Sequence, residues 1–87
     1  MKYVNDKEIA EKVLMQLDDE LEGICSYDCL HKMFEDGEMH EMAKTIEKIA
    51  SDEYRHVTKL MDMVDMLQID IPAKTHALLD KVEEIFD

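Results

Sequence analysis

The chain has 87 residues, the length of one small domain, and its 2 Gly and 1 Pro are too little turn punctuation for a many-stranded sandwich or barrel. Hydrophobic residues make up 46%, too much for a disordered tail, and 10 Lys and Arg against 22 Asp and Glu leave a net charge of −12. Such a surface argues against nucleic acid and anionic membrane as partners and suits cations.

In chain order, the start Met1-Lys2-Tyr3-Val4-Asn5-Asp6 lacks the apolar core of a signal peptide, so a cytoplasmic location is expected. Asn5 or Asp6 is the expected cap of a first helix over about residues 6–34. Along it Val13, Leu17, Glu20, Ile24, Tyr27, His31 and Phe34 recur at alternating spacings of four and three. Cys25 and Cys29 are read as reduced small residues, and Asp18, Asp19 and Glu22 as a solvated face. Glu35-Asp36-Gly37 forms a turn in which Gly37 takes the left-handed conformation.

A second helix is expected over about residues 38–69, where Met39, Met42, Ile46, Ile49, Glu53, His56, Leu60, Met63 and Leu67 make an unbroken a/d seam. Asp70-Ile71-Pro72 breaks it, and a third helix follows over about 73–86. The long helices, each about 45 Å at 1.5 Å per residue, form an antiparallel hairpin across so short a turn. The fold class is all-α, a single domain over residues 1–87, with no run apolar enough to span a membrane.

Both seams are apolar except for Glu20, Tyr27 and His31 on the first and Glu53 and His56 on the second. Glu-x-x-His is a common pattern in so acidic a chain, but its place in the seam is not common. A carboxylate in a dry seam has to be neutralised, paired or metal-bound. The i, i+3 spacing puts Glu53 and His56 on one face, within reach of one ion. The plainer readings are an ion pair of Glu53 with Arg55 or Lys59, a hydrogen-bonded seam role for His31, and surface positions for His40 and His76. The eight methionines read as adaptable core and contact residues.

Glu20, Tyr27 seven residues on, and Glu53-Tyr54-Arg55-His56 beginning 33 residues after Glu20 resemble the first half of a di-iron bundle of the ferritin-like superfamily, as in ferritin and rubrerythrin. The resemblance covers residues 13–67. Because the chain carries one helix pair and a short third helix, it is most similar to the encapsulated ferritins, half-ferritins in which two chains build one four-helix bundle and share the iron site. The resemblance implies Glu20, Glu53 and His56 as metal ligands and Asp19 and Glu22 as flanking metal-entry residues. It also implies an encapsulin shell as partner. Ser26 stands where that family usually has an aromatic residue, and residues 81–87 do not resemble the family's shell-targeting tail.

Carboxylate-bridged bundles take one Glu from each of two helices and Glu-x-x-His from each of the other two. One chain supplies half of that set, so a homodimer, or a larger even-numbered assembly, is expected to hold two iron ions with four Glu and two His. Manganese and zinc suit the same donors. The expected activity is that of a ferroxidase: Fe(II) is oxidised by O2 or peroxide, for iron storage or detoxification. Glu53 would bridge the ions, Glu20 and His56 would be terminal, and Tyr27 would orient a carboxylate by a hydrogen bond. The alternatives are a rubrerythrin-like peroxide reductase on the same site, although the chain has no Cys-x-x-Cys pair, and a metal-free acidic helical adaptor.

Overall fold

The computed structural model describes residues 6–87 and consists of three helices, α1 (Asp6–Asp36), α2 (His40–Met66) and α3 (Ala73–Phe86), with no strand among the described residues. α1 has 31 residues and α2 has 27, and they lie side by side in a body of 53 × 23 × 19 Å. Of the two expected caps, Asn5 lies outside the described residues, and Asp6 is the first residue of α1.

Both long helices end in the same way. After α1 the amide of Met39 bonds the Phe34 carbonyl at 2.8 Å and the amide of Glu38 bonds the Glu35 carbonyl at 3.0 Å, with φ of Glu38 at +60°. After α2 the amide of Ile69 bonds the Val64 carbonyl at 3.0 Å and that of Gln68 bonds Asp65 at 3.2 Å, with φ of Gln68 at +55°. These paired bonds are Schellman caps. They correct two expectations. The left-handed residue of the first turn is Glu38 and not Gly37, because α1 continues through Asp36 and moves the cap along by one. α2 stops at Met66 rather than Ile69, because its chain reversal is made at Gln68, ahead of Pro72. Pro72, extended at ψ 157°, then leads into α3 and accepts the amide of His76 at 3.0 Å.

The hairpin closes along a stripe beside the expected seam. Ala43, Ala50, Val57 and Val64, seven residues apart in turn, are the buried residues of α2. On α1 the fully buried residues are Leu17, Leu21 and Ile24. Large side chains on one helix meet small ones on the other, which lets the two backbones come close. The Met39–Leu67 seam therefore lies at the edge of the hairpin: Met39, Met42 and Met63 are about half exposed, and Ile46, Ile49, Leu60 and Leu67 are half-buried.

α3 packs on α1, on the side away from that seam. Thr75, buried at the start of α3, donates its hydroxyl to the Asp18 carboxylate of α1 at 2.7 Å. Val82 joins the core, and Phe86 stacks on Tyr54 of α2 with ring centroids 4.6 Å apart. The hairpin is thus covered by α3 on one side and open along the seam on the other. No helix of the described residues is long and apolar enough to cross a membrane.

Candidate metal centre

Near the middle of the open face, α1 contributes Glu20 and α2 contributes Glu53 and His56. One donor atom from each lies within 4.8 Å of the other two. His56 Nδ1 is 3.6 Å from Glu20 Oε1 and 3.8 Å from Glu53 Oε1. Helical spacing brings Glu53 and His56 onto one face, and the antiparallel register of the hairpin brings Glu20 across to them. Among the described residues this is the one cluster of three such donors gathered closely enough to hold a metal ion.

The donors perturb one another. The Glu53 carboxyl is held above its ordinary value, first by a hydrogen bond to the Glu20 carboxylate, then by burial and by the Glu20 charge, against an opposing pull from His56. A neighbouring carboxylate disfavours the ionised form of Glu53. The seam is less dry than expected in the single chain: Glu20 is 19% exposed, Glu53 25% and His56 54%. His56 is the outermost donor and faces away from the chain's own core.

The plainer readings of the sequence are resolved individually. Arg55 turns to Asp52, one helical turn back, and leaves Glu53 to Glu20 and His56. His31 stands apart from the cluster, with its Nε2 3.8 Å from Glu35 and 3.7 Å from Glu47. His40 is exposed and its Nδ1 lies 2.8 Å from Glu35, while His76 is exposed on α3. Cys25 and Cys29 are free thiols, the first half-buried and the second exposed.

The other residues singled out in the sequence have the following surroundings. Tyr27 lines a pocket of about 190 Å³ with His31, Ile46, Glu47 and Phe86, between the two long helices and the end of α3. Asp19 and Glu22 are exposed, and Glu22 lies 3.8 Å from the Lys74 ammonium of α3. Asp18, read as solvated, is instead the acceptor that seats α3. That role had no sequence signal, because its partner is 57 residues away.

One imidazole and two carboxylates suit Fe(II), Mn(II) or Zn(II), and three ligands leave coordination positions open. No known family model, curated protein or solved structure matches the chain.

Proposed function

We propose that the chain is an iron-binding ferroxidase of the ferritin-like kind, built as a half-bundle that a second copy completes. The observation that carries this reading is the convergence of Glu20, Glu53 and His56 on the uncovered face of the hairpin. Two chains joined across that face supply four carboxylates and two imidazoles, the donor inventory of a carboxylate-bridged pair of ions. Four carboxylates balance two Fe(II) ions in charge, so the completed site is buried close to neutral.

Iron is the substrate. Two Fe(II) ions held side by side give one electron each to O2, which takes up two protons and leaves as hydrogen peroxide. Carboxylate oxygens favour Fe(III) over Fe(II), so binding at Glu20 and Glu53 makes the electron loss easier. The open position of His56 supports a role as the donor added last. The acidic surface, at −12 overall, draws cations toward the site. The cytoplasm is the compartment proposed for this chemistry.

The test is stopped-flow absorbance in the ferric region after mixing metal-free protein with Fe(II) under air. The chain is expected to oxidise iron faster than buffer, with one ion bound per chain by elemental analysis. Glu20→Ala combined with Glu53→Ala is expected to abolish both. A wild-type rate equal to buffer removes the ferroxidase reading and leaves a zinc-filled bundle, if zinc binds, or an adaptor, if no metal does.

A further inference from the structure

Gly23 interrupts α1 at a place where nothing inside the chain calls for a glycine. In a helix interior glycine is the least favourable residue after proline, because it loses the most backbone freedom and contributes no packing. Each intrachain reason for it is absent. No glycine has a positive φ among the described residues, so no left-handed backbone requires it. A Cβ added at Gly23 would meet no heavy atom within 4 Å, so neither α2 nor α3 crowds it. α1 also runs unbroken from Asp6 to Asp36, so Gly23 does not end a helix.

Its position is more informative. Helical spacing places Gly23 one turn after Glu20 and one turn before Tyr27, with Gln16 and Leu30 two turns to either side. α3 lies on the other flank of α1, where Asp18 bonds Thr75 and Cys25 faces Lys81 and Ile85. Gly23 therefore belongs to the uncovered side, together with Met42, Ile49, His56 and Met63 of α2. Apart from the donor cluster the α2 seam carries no charge, on a chain whose net charge is −12. Two like-charged copies repel over most of their surface and approach most easily through such a face.

We infer that Gly23 is the point of closest approach between two copies of this chain, its missing side chain leaving room beside Glu20 for the second copy to bring its own donors to the site. The inference rests on the two-chain reading proposed above and adds the residue that sets how near the chains come. A side chain there would hold the two half-sites apart while leaving the fold of each chain intact.

The experiment compares wild type, Gly23→Ala and Gly23→Leu by sedimentation equilibrium, with chelator and with Zn(II), alongside helix content by circular dichroism. Both variants are expected to keep or raise helix content, since each replaces glycine with a better helix former. Gly23→Leu is expected to weaken self-association by at least about tenfold and to lower zinc bound per chain, with Gly23→Ala between it and wild type. If wild type associates and both variants associate as tightly, the assignment of Gly23 falls and the two-chain reading stands. If wild type is a monomer with and without Zn(II), the two-chain reading falls and takes this inference with it. Should Gly23→Leu lose helix, Gly23→Ala decides by the same criterion.

Discussion

Glu38 and Gln68 hold left-handed backbone that costs an L-residue about 1–2 kcal/mol relative to its ordinary regions. Glycine stands one position early, at Gly37, where a Cβ would lie 3.4 Å from the Met33 carbonyl oxygen, an ordinary contact. Exchanging the two roles is therefore expected to stabilise the protein. Glu38→Gly and Gly37→Ala should each add about 0.5–1 kcal/mol, read as a rise in the urea midpoint at constant slope. Glu53 gives a second prediction at this scale. Its pKa in the folded chain lies above the ordinary 4.5, so the folded state binds the proton more tightly than the unfolded one. That contribution favours folding below pH 4.5 and is lost as the pH rises through the raised value. Metal-free Glu53→Gln, which keeps a donor toward Glu20 without the charge, is expected to gain on wild type as the pH rises from 4 to 7. Denaturant midpoints across that range check it, and a gap that does not change with pH would refute it.

Between elements, the bond from Thr75 to Asp18 is the part-buried polar tie between α1 and α3, whereas the Glu22–Lys74 pair between the same helices is exposed. Removing the acceptor leaves a buried hydroxyl unpaired, and removing the donor leaves a carboxylate facing apolar surface. Asp18→Ala is expected to cost about 1–3 kcal/mol, and Asp18→Ala with Thr75→Val to cost less than the single change, because neither polar group is then stranded. Thermal melts of the three variants give the comparison. The pairing of α1 with α2 has a different character. It depends on Ala43, Ala50, Val57 and Val64 being small, so enlarging any of them would push the helices apart and pull Glu20 away from Glu53 and His56.

At the scale of the whole molecule, what the sequence disclosed and what it hid have distinct physical reasons. The three helices and the meeting of Glu20 with Glu53 and His56 follow from helical periodicity and a short turn, both local properties that neighbouring residues declare. Two adjacent heptad stripes on α2, however, are both apolar. Hydrophobicity ranks the Met and Ile stripe above the Ala and Val stripe, whereas close approach of two backbones prefers the small residues. The structure follows close approach and leaves the larger stripe at the edge. The cap residues shifted because a Schellman bond pattern outweighs the preference for glycine. The pairing of Asp18 with Thr75 depends on where α3 comes to rest, which no pattern within α1 records.

α3 leans on α1 and reaches α2 chiefly through Phe86 against Tyr54, while α1 and α2 are joined along most of their length. This unequal attachment divides the molecule into units of different persistence. In native-state hydrogen exchange the amides of α3 are expected to exchange through a partial opening that spares α1 and α2, and the slowest amides should lie around Leu17–Ile24 and Val57–Val64. Exchange of all three helices at one common rate would mean that the chain opens only as a whole. If α3 does open first, it uncovers the flank of α1 opposite the donor cluster, so the chain can loosen at one side while the geometry at the other is kept.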